Sequence, residues 1–126
     1  MLSKVDFLEL LKKKIHLLDG AMGTMIQAQN LQEQDYRGKR FEDHKVDLKG
    51  NNDLLTLTKP ELIEEIHCSF LKAGSDIIET NTFNSNAISQ SDYSLEHVTY
   101  ELNLEGARLA KRAINKVNPA ALIAGV

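Results

Sequence analysis

Two short polar runs carry the residue types that can hold a charged small molecule. Asp19-Gly20-Ala21-Met22-Gly23-Thr24 offers a carboxylate beside two glycines, and Glu79-Thr80-Asn81-Thr82-Phe83 offers a second carboxylate among amide and hydroxyl groups. A carboxylate at the end of a strand can hold an ammonium group. Glycines allow a ligand to approach the backbone, and free amides at the start of a helix can bind a carboxylate or phosphate. Asp19, Glu79 and the amides of Gly20–Gly23 would together suit a zwitterionic amino acid. Taken alone, the first run is equally a tight turn with an aspartate cap. The second has as its lesser alternative a hydrogen-bonded Asx/Thr loop that caps the next helix.

Other chemistry finds less support. Gly20-Ala21-Met22-Gly23 lacks the glycine spacing of a dinucleotide loop, and no Gly-Lys-Ser/Thr run occurs. His16, His44, His67 and His97 show no metal-ligand spacing. Cys68 is the single cysteine, which rules out an internal disulfide, fits a reducing compartment and reads as a small packing residue. No Ser/His/Asp arrangement can be assembled.

The elements expected to position the two runs alternate strand with helix. Residues 1–14 read as an N-terminal amphipathic helix packed beside the main fold, with Val5, Leu8 and Leu11 in helical register. Residues 15–126 read as one domain. Ile15–Leu18 is expected as a first strand ending at Asp19, with a short helix over 22–30 and a long aperiodic stretch over 31–57. Thr58-Lys59-Pro60-Glu61 predicts a capped helix start and Gly74 a left-handed helix end. Strand two is expected over 76–78, a long helix over 94–116, and a third strand over 121–124. Gly106 falls in the apolar stripe of that long helix, where glycine costs about 1 kcal/mol against alanine, so close packing is expected there. Successive βαβ units imply an α/β class with a parallel sheet. The chain ends at Gly125-Val126 beside an uncovered strand, and is therefore read as the N-terminal part of a larger fold.

Bulk composition excludes several function classes. The chain has 126 residues, 42% hydrophobic and 26% charged, with a net charge of −3. It offers no basic face for nucleic acid and few aromatics for base stacking. No apolar run approaches the roughly 20 residues of a membrane span. Three lysines follow the apolar residues of the N-terminus, the reverse of a secretory signal. A cytoplasmic location is expected, with neither nucleic-acid nor membrane partners.

With those residues in view, the chain resembles the start of the homocysteine-binding domain of cobalamin-dependent methionine synthase, within the homocysteine S-methyltransferase family. The resemblance runs over residues 15–126. It rests on Leu17–Gln27, Asp35-Tyr36-Arg37-Gly38, Lys49–Leu55, Leu57–Ile63, Ala73–Ser85 and Glu101-Leu102-Asn103. The Asp-Gly loop and Glu-Thr-Asn-Thr-Phe are shared by the wider family. Residues 35–38 and 49–55 are those that point to the cobalamin enzyme. The resemblance implies a (β/α)8 TIM barrel, of which this chain would form two βα units and a third strand. It implies homocysteine held by Asp19, Gly20, Ala21, Met22, Gly23, Thr24, Glu79 and Asn81. It also implies zinc on three cysteines and a cobalamin cofactor, both bound outside this segment, with methyltetrahydrofolate and methylcobalamin reaching homocysteine through downstream domains. Cys68 matches none of the zinc cysteines, so no catalytic or metal residue is expected here and the segment alone should be inactive. The alternatives are a homocysteine methyltransferase using a cobalamin-free donor such as betaine or S-methylmethionine, and a non-catalytic module for amino-acid binding or assembly.

Overall fold

A computed structural model describes residues 3–126. Helix α1 (Lys4–Lys13) opens it, with the Ser3 hydroxyl accepting the Asp6 amide and two lysines in the last turn. Its apolar stripe does not pack as expected. No α1 residue is buried, and Val5, Leu8 and Leu11 are 68%, 47% and 42% exposed. Full burial of such side chains brings about 1.5–3 kcal/mol each, so α1 adds little of what the core helices add.

The core belongs to two later helices. Helix α5 (Pro60–Ala73) and helix α7 (Thr99–Val117) pack along one another. The stripe of α7 and the turn before it is buried as its spacing predicts, through Leu95, Val98, Leu102, Leu109 and Ala113. One apolar cluster joins Ile63 and Ile66 of α5 to Leu102 and Leu109, and to Ile26, Tyr36, Leu48, Leu54 and Leu55. A second gathers Leu71, Ile78, Ala110, Ala113, Ile114 and Ala121 beneath the sheet. Gly74 ends α5 in the left-handed conformation (φ 108°), where it leaves room for the Ser75 amide to reach the Phe70 carbonyl. Asn118-Pro119 ends α7.

Around these lie short helices: α2 (Met22–Gln27), α3 (Glu33–Arg37), α4 (Leu55–Thr58) and α6 (Ala87–Ser91). The cap expected at Thr58 is absent. Thr58 closes α4, its hydroxyl donates to the Leu54 carbonyl, and Lys59 precedes α5 without a side-chain capping bond.

The barrel expectation is corrected by the sheet. Among the described residues strands β1 (Ile77–Glu79) and β2 (Leu122–Ala124) form a parallel pair of three residues each. They form an open two-stranded sheet in a mostly helical fold, not a closed (β/α)8 barrel. The expected first strand is reduced to one bridge, Leu18 to Ile77, flanked by bonds from the Asp76 and Ile77 amides to the Leu17 carbonyl. The reason lies in burial. Ile15, Leu17 and Leu18 remain 87%, 55% and 52% exposed, so nothing flattens that segment into a longer ladder.

Candidate functional site

The Leu17–Asp19 segment runs beside β1 and delivers Asp19 to its end. The Asp19 amide donates to the Ile77 carbonyl at 2.9 Å, and Asp19 Oδ1 accepts the Glu79 amide at 2.9 Å. The two predicted carboxylates are thus brought together on one side of a cleft. Among the described residues neither has a basic partner; the lysines and arginines that form ion pairs do so elsewhere. Burial pushes the Asp19 carboxyl above the usual aspartate range; the Glu79 amide pulls it back and the Glu79 charge raises it again. Adjacent carboxylates without a cation form a site that an ammonium group would neutralise.

The cleft has a volume of about 130 Å³ and is lined by Asp19, Gly20, Ala21, Met22, Glu79, Asn81 and the segment through Phe83. Gly23 and Thr24 follow Met22 in the first turn of α2, outside that lining. The left-handed residue of the loop is Ala21, at φ 48°. A Cβ on Gly20 would meet no protein atom within 4 Å. The room above Gly20 therefore faces the cleft rather than the core.

Asn81 is placed differently from the expectation. It is buried, and its Nδ2 donates to the Asn52 carbonyl at 3.0 Å and to Thr56 Oγ1 at 3.3 Å. Both amide hydrogens are spent within the protein, leaving only Oδ1 for a ligand. Thr80 and Thr82 join their hydroxyls at 2.6 Å. Phe83, 78% exposed, stands at the rim of the cleft.

A polar layer missed by pattern reasoning supports this loop from behind. Asp53, 3% exposed, accepts the Asn84 amide and the Ser85 hydroxyl through Oδ2, both at 2.8 Å. Burial raises its carboxyl above the usual range against those two bonds. Asn51 and Gln90 exchange amide hydrogen bonds at 2.8 and 3.2 Å, and Gln90 also holds the Asn84 carbonyl. Tyr36 donates to Asn52 Oδ1 at 3.0 Å. Arg37 pairs with Glu33 and donates to the carbonyls of His44 and Val46, while Glu33 accepts the amides of Leu48 and Lys49 at 2.7 Å. The one sequence signal for this layer was the Lys49–Leu55 run and the Asp35–Gly38 run, taken above as marks of a cobalamin enzyme.

In the structure Tyr36 and Arg37 brace His44, Val46 and Asn52, while Asn51, Asn52 and Asp53 hold Gln90 and the loop at Asn81–Ser85. Among the described residues no group of three or more His, Cys, Asp or Glu could hold a metal, and Cys68 stands apart on α5; the zinc implied by the resemblance was expected outside this segment. No helix among the described residues is long and apolar enough to cross a membrane.

Comparison with known proteins places the architecture. A solved structure of the homocysteine methyltransferase MmuM from Escherichia coli, in its metallated form, superposes with a TM-score of 0.67 at 24% identity. The match covers 93% of this chain and 39% of that one, so the chain spans well under half of that protein's length. This likeness concerns the fold, and it is to a homocysteine methyltransferase rather than to a cobalamin-dependent methionine synthase. The cobalamin assignment is accordingly withdrawn, along with the folate and cobalamin partners, and no zinc ligand set is present among the described residues. The family model for homocysteine S-methyltransferase matches residues 16–126, nearly the whole chain. On that match the chain belongs to the homocysteine S-methyltransferase family.

Proposed function

We propose that this chain supplies the amino-acid end of a homocysteine site, in an enzyme that methylates the homocysteine sulfur from a cobalamin-free donor such as betaine or S-methylmethionine. The observation that carries the reading is the pair of carboxylates, Asp19 and Glu79, joined through the Glu79 amide at one cleft with no cation among the described residues to neutralise them. Family membership supplies the substrate class. The donor reading is supported by the fold shared with a homocysteine methyltransferase rather than with a cobalamin-dependent methionine synthase.

In this reading Asp19 and Glu79 hold the α-ammonium group, and the Gly20–Gly23 backbone lies against the α-carboxylate. Met22 and Phe83 give the apolar edge along which the methylene stem extends. Thr24 sits behind the loop in the first turn of α2, and Asn81 keeps the second loop in place while offering Oδ1 to the ligand. The chemistry is a displacement in which the homocysteine thiolate attacks the donor methyl. A carbon–sulfur bond forms as the bond from that methyl to the onium nitrogen or sulfur breaks, and the pair of electrons leaves with the donor. The residues described here position the nucleophile's substrate and do not deprotonate it.

The test uses the protein expressed from its natural reading frame. Asp19→Asn and Glu79→Gln are each expected to weaken homocysteine binding by about tenfold or more, the size of a lost charge-assisted bond. Calorimetry would read this directly, and wild-type affinity in both variants would remove the reading. Methionine formation from S-methylmethionine or betaine, and none from methylcobalamin, is the expected donor profile.

A further inference from the structure

We propose that Asp53 is a positioning residue for the ligand loop, acting on homocysteine affinity without touching the ligand; this rests on the site reading above. Asp53 does not line the cleft. It is 3% exposed, it has no basic partner among the described residues, and its two short bonds both run to residues just beyond Phe83. An unpaired carboxylate buried to that degree is costly to keep. What it secures is the far anchor of the loop that begins at Glu79.

The anchoring is complete on every side. At residues 84 and 85 Asp53 takes the Asn84 amide and the Ser85 hydroxyl, Gln90 takes the Asn84 carbonyl at 3.0 Å, and Asn103 of α7 takes the Ser85 carbonyl at 2.6 Å. The neighbouring Asn52 carbonyl and Thr56 hydroxyl hold Asn81. The short stretch from Asn52 to Thr56 therefore grips the loop at two points, Asn81 and Asn84–Ser85. Between the grips lie Thr82 and Phe83, and two residues before the first grip lies Glu79. Release of the Asp53 grip leaves Glu79 attached to the sheet but frees Thr82 and Phe83, which line the cleft.

Because both donors converge on one oxygen, an amide oxygen at the same place can replace the carboxylate. Asp53→Asn is expected to keep homocysteine Kd within about threefold of wild type, and Asp53→Ala to raise it about tenfold or more. Ser85→Ala, which removes one of the two donors, is expected to raise Kd about threefold and serves where Asp53→Ala does not fold. Calorimetry on the protein from its natural frame separates this from simple destabilisation, since a protein that is only less stable shows fewer sites per chain with an unchanged Kd. Wild-type Kd in Asp53→Ala, or in Ser85→Ala where the former does not fold, overturns the proposal. Asp19→Asn and Glu79→Gln run alongside. If they weaken binding while the Asp53 and Ser85 variants do not, the positioning role fails alone. If they leave binding unchanged, the site reading fails and takes this proposal with it.

Discussion

Asp19 Oδ1 accepts the main-chain amide of Glu79 at 2.9 Å, linking residues 60 apart in sequence. The bond fixes one carboxylate and the backbone of the other in a single rigid unit, so the pair exists before any ligand arrives. It also makes the site sensitive to acid. Burial holds the Asp19 carboxyl above its ordinary 3.8 in the free protein, so lowering the pH protonates Asp19 earlier than an ordinary aspartate. An incoming ammonium group needs the ionised form and must displace that proton. Homocysteine binding is therefore expected to release protons as the pH falls toward the Asp19 titration, with affinity dropping over the same range. Calorimetry in buffers of differing ionisation enthalpy measures the release. Proton release that persisted unchanged in Asp19→Asn would move the assignment to another group.

Gly20 offers a second, independent probe of the same cleft. Its φ is not positive and a Cβ there would meet nothing within 4 Å, so alanine is compatible with the unliganded fold. Replacing glycine by alanine at a permitted backbone position adds about 0.4–1 kcal/mol of stability through the unfolded chain. Gly20→Ala should thus melt no lower than wild type while binding homocysteine more weakly, because the methyl group occupies space the ligand carboxylate needs. Unchanged affinity would show that the ligand does not approach the loop at this residue.

The legibility of this fold followed the strength of local signals. Gly74 and Pro119 stop their helices where the sequence places the stops, and the buried stripe of α7 follows its apolar spacing. Ile15–Leu18 reads as a strand because it is apolar, yet its side chains stay exposed and its backbone forms a single bridge. Extension of a parallel ladder depends on distant partners, which a local run cannot report. The Thr58 cap failed because α4 begins at Leu55 and already uses Thr58 as its last residue. Asp19 and Glu79 were legible as charged groups at element ends. Asp53 was not, because its duty appears only when a loop 31 residues away folds over it.

Gly106 couples the long helix to the ligand loop. A Cβ at this position would lie 2.6 Å from Thr82 Cγ2, closer than packed atoms tolerate, and Thr82 in turn holds the Thr80 hydroxyl. Helix propensity alone would favour Gly106→Ala by about 1 kcal/mol. The clash is expected to win, giving a net loss of about 1–3 kcal/mol typical of an overpacked core. In a Thr82→Ser background the methyl group is gone and the hydroxyl remains, so the same alanine should become neutral or stabilising. Chemical denaturation of the four proteins of the cycle measures the coupling. An equal loss in both backgrounds would place the strain somewhere other than at Thr82.

His67 gives the stability of the fold its own pH dependence, separate from the cleft. The ring is fully buried on α5, and neither Nδ1 nor Nε2 has a hydrogen-bond partner. Burial lowers its pKa from 6.5 to about 4, opposed only by the negative charge of Glu64. The unfolded chain therefore binds a proton that the folded chain refuses. The stability of the neutral ring is fully present above 6.5 and is lost as the pH falls from 6.5 toward 4. By pH 5 the loss amounts to about 2 kcal/mol, at 1.36 kcal/mol for each unit below the unfolded pKa. Glu64 works in a lower window. Its bonds to Lys116 and Arg112 hold its carboxyl below 4.5, so its contribution fades only as the pH falls below that value. Between pH 7 and 5 the two effects separate. His67→Leu, close in volume and without a titrating group, should flatten the stability profile over that interval and unfold at higher denaturant than wild type at pH 5. A variant profile that kept the wild-type slope would assign the acid sensitivity to a different residue.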